Sequence, residues 1–199
     1  MSAFTERLPH RVILTDDPLR ARMLAAHHLE YSQLLYEQGD VLIFSGIYSD
    51  VPLAVVSTGF GSGEILSVLD MIGNLGAKEV IYISACASTT ARYNLRTVIL
   101  ASGGSENMLD CAKAAAAQYD ITVMTETVLP PGSDNAEEGG FSDAVTGALY
   151  ETARANNIEA LCVLTVSENR ATGEKMEEHE VRSRFHAASR LVFETAALM

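Results

Sequence analysis

Three glycines at single-residue intervals, Gly59, Gly61 and Gly63, stand between an apolar run and an amphipathic one in AVVSTGFGSGEILSVLDMIGNLGAKEVIYISACAS, residues 54–88. A loop of this kind lets backbone N–H groups come close to a compact polar ligand at the N-terminus of a helix. The dinucleotide pattern is G-x-G-x-x-G, and here Glu64 takes its last slot. That pattern also wants an acid at the far end of the following strand. Glu79 instead begins that strand, and Ser84, Ala85 and Cys86 end it. No Gly-Lys-Ser/Thr occurs, so the loop is not a Walker loop. Packing alone, in a tight strand–helix turn, is the other reading of these glycines. Cys86 stands where nucleophiles often sit, but no histidine is placed by sequence to activate it. Glu177, Glu178, His179 and Glu180, with His186 beyond, lack the H-E-x-x-H spacing of a zinc helix. They read as the solvated face of the last helix, and no metal site is expected. His27 and His28 read as helix residues at the edge of the core.

The elements that must position these groups alternate between strand and helix. RVILT (11–15) reads as a buried strand, followed by a helix with Asp17 as N-cap and Pro18 at its first position. Residues 41–47 and 52–58 read as a hairpin turning at Tyr48–Ser49–Asp50. From Glu64, the positions Ile65, Val68, Leu69, Ile72 and Leu75 follow a helical period, and Gly76 ends that helix. Strands are expected at 79–85, 97–103, 121–127 and 159–167. Helices are expected at 107–120 and 142–155. A final helix places Val181, Phe185, Ala188 and Val192 on one face. Residues 130–140 (PPGSDNAEEGG) and 168–178 read as loops. Several strands are apolar throughout, which predicts a three-layer α/β/α arrangement with helices on both faces of a mixed central sheet. Ligands in such sheets bind beyond the carboxyl ends of strands, so the residues just after each strand are the candidates.

Composition narrows the function classes. The 199 residues suit one domain, 1–199, with a single core. The net charge is −12 and no basic run occurs, which argues against nucleic acid or an anionic membrane as partner. No apolar run is long enough for a membrane span, and the first residues, MSAFTERLPHR, lack the apolar core of a signal peptide. Three cysteines, Cys86, Cys111 and Cys162, in apolar or helical settings predict a reducing, cytoplasmic location.

Three stretches acquire meaning together: TDDPLRARML (15–24), STGFGSGE with LGAKEVIYISACAS (57–64 and 75–88), and VLTVSENRATGE with EEHEVRSRF (163–174 and 177–185). In this order they resemble the nucleoside phosphorylase superfamily, the purine nucleoside and uridine phosphorylases and their nucleosidase relatives. The resemblance spans roughly residues 10–195 and is nearest to the hexameric bacterial purine nucleoside phosphorylases. It implies that a nucleoside and a phosphate meet at the strand ends, with no metal or organic cofactor. Inorganic phosphate is then the co-substrate.

Carried onto this chain, the resemblance implies phosphate binding by Arg20 and by the backbone at Gly59. It implies sugar or base contacts from Phe60, Gly61, Ser84, Asp143 and Ser167. It gives Glu168 the place of the acid that protonates the departing base, with Arg182 adjacent to the position of its helper. Asp143 also fits as a helix N-terminal cap. The chain departs from the family in several places. Asp16 stands where the family has glycine, Tyr82 where it has arginine and Ala85 where it has serine. Gly39 lies near the place of an arginine supplied by the neighbouring subunit, and Ala144 replaces the glutamate that clamps the ribose. The chain is also shorter after VILASGG and around PPGSDNAEEGG. The expectation is a nucleoside phosphorylase-like protein that cleaves an N-glycosidic bond by phosphorolysis or hydrolysis, with a small nucleoside or base as partner. The alternative is a degenerate relative that binds a nucleoside or base as a sensor or assembly subunit. A homo-oligomer, dimer or hexamer, is implied either way.

Overall fold

The computed structural model describes residues 5–59, 61–129, 140–183 and 185–199. In chain order the elements are β1 (Arg11–Thr15), α1 (Pro18–His28), β2 (Glu30–Gln38), β3 (Val41–Tyr48), β4 (Val51–Ser57), α2 (Ser62–Asn74), β5 (Glu79–Ser88) and β6 (Val98–Ala101). There follow α3 (Glu106–Gln118), β7 (Val123–Glu126), β8 (Val128–Leu129), β9 (Phe141–Ser142), α4 (Thr146–Ala155), β10 (Glu159–Asn169), β11 (Glu174–Lys175), α5 (Glu178–Ser183) and α6 (His186–Leu198). The main sheet runs β2-β3-β4-β1-β5-β10-β6-β7.

Strands β4, β1, β5 and β10 are neighbours and mutually parallel, while β3 and β6 run antiparallel to β4 and β10. The parallel strands carry apolar residues on both faces because helices cover both. On one face Val12, Leu14, Val56, Val80, Leu164 and Val166 pack with Ile65 and Leu69 of α2 and Leu149 of α4. On the other, Ile13, Val55, Ile81, Ile83 and Val163 pack with Ala21 and Leu24 of α1, Met108 and Ala112 of α3, and Leu191 and Val192 of α6. The arrangement is the expected three-layer α/β/α fold with a mixed sheet.

Several boundaries differ from the sequence-based expectation, for local reasons. Strand β2 is an addition: its residues EYSQLLYEQ are largely exposed, so apolar patterning does not mark it. It pairs with β3 as an edge strand. The expected helix over 142–155 starts only at Thr146, because residues 141–142 pair with β5 and Asp143 caps the helix. The expected final helix is two helices, α5 and α6, with Phe185 at the N-cap of the second. The loop expected over 168–178 contains the end of β10 and the two-residue β11. The loop expected over 130–140 lies outside the described residues except for Gly140.

One buried hydroxyl ties α4 to the centre of the sheet. Tyr150 donates to the Ala101 carbonyl (2.8 Å) and accepts from the Cys162 N–H (2.9 Å). Burial pushes the ionisation of this phenol far upward, so it is a neutral donor at every physiological pH. Tyr150→Phe keeps the ring but leaves the Cys162 N–H without this partner. Chemical denaturation should show a loss of about 2 kcal/mol; an unchanged midpoint would mean that another acceptor takes over.

Candidate active site

Because β4, β1, β5 and β10 are adjacent and parallel, their carboxyl ends lie side by side. One edge of the sheet therefore carries Thr15 and Asp16, Thr58 and Gly59, Ser84 to Ser88, and Ser167 to Asn169.

The glycine loop closes onto the end of β1. The Thr58 N–H donates to the Thr15 carbonyl (3.0 Å). Gly59 (φ +82) and Gly61 (φ +136) take left-handed backbone conformations that disfavour any other residue. Gly59 is buried, and a Cβ there would meet Asp40 Cβ at 3.0 Å. A Cβ at Gly61 would run into the Glu64 carboxylate, which folds back over the start of α2. The loop thus has Asp40 at one end and Glu64 at the other.

Arg20 is in the first turn of α1, where the Asp17 side chain accepts from the backbone N–H groups of Leu19 (2.8 Å) and Arg20 (3.5 Å). Among the described residues it is the one buried cation, with a side chain 6% exposed. Its guanidinium is fully engaged at both ends. Nη1 donates to Asp16 Oδ1 (2.8 Å) and Thr15 Oγ1 (3.0 Å), and Nη2 donates to the Val181 carbonyl (3.0 Å). The Phe185 ring lies against it, 4.7 Å from Cζ to the ring centroid. Only Nε is left buried without a hydrogen-bond partner. Arg20, expected as a phosphate ligand, thus has Asp16 on one nitrogen of its fork and the Val181 carbonyl on the other.

Asp16 is held from several sides. Besides Arg20, it accepts from Ser84 Oγ (2.9 Å) and from the neighbouring Thr15 hydroxyl (3.4 Å). Beneath this group Tyr82 is fully buried. Its phenol is pushed well above its usual range, first by burial and then by the Asp16 charge, with the Ser84 hydrogen bond acting the other way. The side chain at 82 is thus a neutral filler, not a cation.

The other expected site residues divide by what they touch. Ser84 is committed to Asp16. Asp143 Oδ2 accepts from the Val145 N–H (3.0 Å), the Thr146 N–H (2.7 Å) and the Thr146 hydroxyl (2.7 Å), the contacts of its capping reading at the start of α4. Ser167 Oγ donates to the Cys86 carbonyl (3.3 Å). Arg182, expected as helper, pairs with Glu178 (2.6 Å) and lies 3.9 Å from Asp17 Oδ2, at the start of α1, contacts that hold α5 against α1. Phe60 lies outside the described residues. Glu168 is half-buried at a bulge in β10, across from Ala87 and Lys175. Register places it three residues beyond Ser84 along β5, roughly 10 Å further on. Alternation puts Ala87, and so Glu168, with Ala85 on the α1/α6 face, the side on which Arg20 meets Phe185.

Sequence reasoning did not foresee Asp16 as the partner of Arg20, nor Asp40 as a neighbour of the loop, nor the Glu64 carboxylate folded back against Gly61. The spacing of Asp16 and Arg20 at i, i+4 was the available signal. Among the described residues no group of three or more His, Cys, Asp and Glu side chains is arranged to hold a metal ion. A depression of about 740 Å³ lies at the opposite edge of the sheet, between His10, Pro52, Lys78 and Glu159.

No family model matches the chain. Among curated proteins it is 29% identical to a purine nucleoside phosphorylase DeoD-type of Geobacillus kaustophilus, over 98% of this chain and 96% of the relative. It is 26% identical to a protein of the same description from Shewanella oneidensis, over 93% of each. The chain is thus similar over nearly its whole length to proteins described as purine nucleoside phosphorylases. The fold agrees with that similarity: it matches a crystal structure of purine nucleoside phosphorylase from Toxoplasma gondii, in complex with immucillin-H, with a TM-score of 0.86. That match covers 99% of this chain and 97% of the other at 15% identity. Among the described residues no helix is long and apolar enough to cross a membrane.

Cys86 lies in β5, two residues before its end, and its thiol is buried. Burial, and then the Asp143 charge, push its ionisation far up. Burial does the same to Cys162, pushed up to about 12. Cys111 is half-buried on α3. In the native protein a neutral disulfide reagent at about pH 8 should label one thiol quickly, with the other two following only on unfolding. Rapid labelling of Cys86 would reveal a thiolate and reopen nucleophilic chemistry there.

Proposed function

We propose that this protein cleaves the N-glycosidic bond of a nucleoside, moving the sugar from its base to phosphate or water. The observation that carries the proposal is the shared edge of β4, β1, β5 and β10, which gathers the glycine loop, the Arg20–Asp16 pair and Glu168 in a chain related over nearly its whole length to purine nucleoside phosphorylases.

The chemistry asks for two things. As the bond breaks, the sugar gains positive charge and the base negative charge. Asp16 follows β1, Asp40 stands beside Gly59 and Glu64 beside Gly61, and carboxylates at this edge favour a developing cation on the sugar. Glu168, half-buried at a strand end, is the group we assign to protonate the departing base. Arg182 contributes indirectly, by holding α5 beside Arg20.

Three free thiols support a reducing compartment such as the cytoplasm. The exposed strand β2, with Tyr31 and Leu34 outward, suits contact with a second copy of the chain.

A specific observation favours one other reading, a protein that binds a nucleoside or base without reacting it. Arg20 and Asp143, two groups expected to hold ligand, are used internally. A panel of purine and pyrimidine nucleosides, followed by chromatography of the free base, separates the two. Base release is expected, and Glu168→Gln should lower kcat/KM about a hundredfold while Glu168→Asp retains most of it. Calorimetric binding without release by the unmodified protein would support the binding reading instead.

A further inference from the structure

The buried guanidinium at the strand ends already holds an anion, and that anion belongs to the protein. Arg20 Nη1 and Ser84 Oγ both point at the Asp16 carboxylate, at 2.8 and 2.9 Å. Thr15 Oγ1 adds a third, longer contact at 3.4 Å. One cationic fork and two hydroxyls around three oxygens is the donor set that an inorganic phosphate would need. Here the second fork position is spent on the Val181 carbonyl, and the remaining Nε is a single buried donor. Asp16 cannot swing aside without giving up all three contacts and leaving the buried Arg20 guanidinium without its counter-ion. The other expected anion position, the N-terminus of α2, is faced by Glu64. Asp40 stands beside Gly59. A phosphate arriving at this edge meets carboxylates at each point where it would seek a donor.

We infer that Asp16 determines the nucleophile: its carboxylate occupies the anion position beside Arg20 and Ser84, and the site therefore takes water in place of phosphate. This inference rests on the cleavage reading above. In the step it specifies, a bond forms between the water oxygen and the anomeric carbon of the sugar. The bond from that carbon to the base nitrogen breaks, and its electron pair leaves with the base. Glu168 gives the base a proton and regains one from solvent, and the attacking water releases one proton to solvent. The products are the free sugar and the free base. Asp16 carries its charge beside the electron-poor sugar and keeps the dianionic competitor out.

The test compares the full-length protein with Asp16→Gly and Asp16→Asn, using a purine ribonucleoside with and without millimolar inorganic phosphate. Both products are measured, the base by chromatography and the sugar as free pentose or pentose phosphate. The unmodified protein should release base equally in either buffer and yield free pentose. Asp16→Gly should gain a phosphate-dependent rate about tenfold or more above its rate without phosphate, and should form pentose phosphate. Asp16→Asn removes the charge and leaves one acceptor oxygen for Arg20, its amide NH2 facing Ser84 as a donor, and should show the same change, smaller in size, if the glycine variant does not fold. Thermal unfolding gives a readout independent of turnover: phosphate should raise the Tm of the variants and leave that of the unmodified protein unchanged. Pentose phosphate as the product of the unmodified protein overturns the inference while leaving the cleavage reading standing. No base release by any of the proteins in either buffer overturns both. A phosphate-induced rise in Tm of the unmodified protein as large as in the variants also overturns the inference.

Discussion

The ion pair between Asp16 and Arg20 is the constraint on which the candidate site depends. It joins four elements at once. Asp16 follows β1, Arg20 lies in the first turn of α1, Ser84 reaches in from β5, and the Val181 carbonyl closes the group from α5. A buried guanidinium is costly unless its donors are met, so these elements have one arrangement that satisfies it. That arrangement sets the height of α1 over the sheet and holds α5 above the strand ends. Phe185 then seats against the guanidinium and begins α6.

The same pair gives the edge its electrostatic character. In a chain of net charge −12, the one buried cation among the described residues is neutralised by its neighbour four positions earlier. What remains near the glycine loop is negative: Asp40 and Glu64 at its two ends. A site of this sign favours charge that is positive in the transition state and disfavours an incoming anion. A purine nucleoside phosphorylase of solved structure shares this fold at 15% identity, so the architecture tolerates wide changes of side chain at the strand ends.

Much of this architecture was legible in the sequence. Asp17–Pro18 announced α1, and Ile65, Val68, Leu69 and Ile72 announced the buried face of α2, because capping and helical period are local properties. The apolar strands β1, β4, β5 and β10 were equally plain, since covering both faces removes polar alternation. Strand β2 was hidden by its exposure: nothing in EYSQLLYEQ needs a core, and only pairing with β3 makes it extended. The break between α5 and α6 was hidden because Val181, Phe185, Ala188 and Val192 continue one apolar face across it. The site residues were legible as types and not as partners. Asp143 serves as the cap that its position before Thr146 allowed. Asp16 was visible as an acid in an unexpected place, but its bond to Ser84 spans 68 residues and exists only once β1 and β5 lie side by side.

The most direct measurement of the central claim is a double-mutant cycle on the pair itself, with Asp16→Asn, Arg20→Met and the two combined, followed by chemical denaturation. If the two side chains hold one another, removing either leaves a partner stranded. The changes will then fail to add, with a coupling energy of about 1–3 kcal/mol. Changes that add to within about 0.3 kcal/mol would show that Arg20 and Asp16 act independently, and the account of the site built on their union would be contradicted.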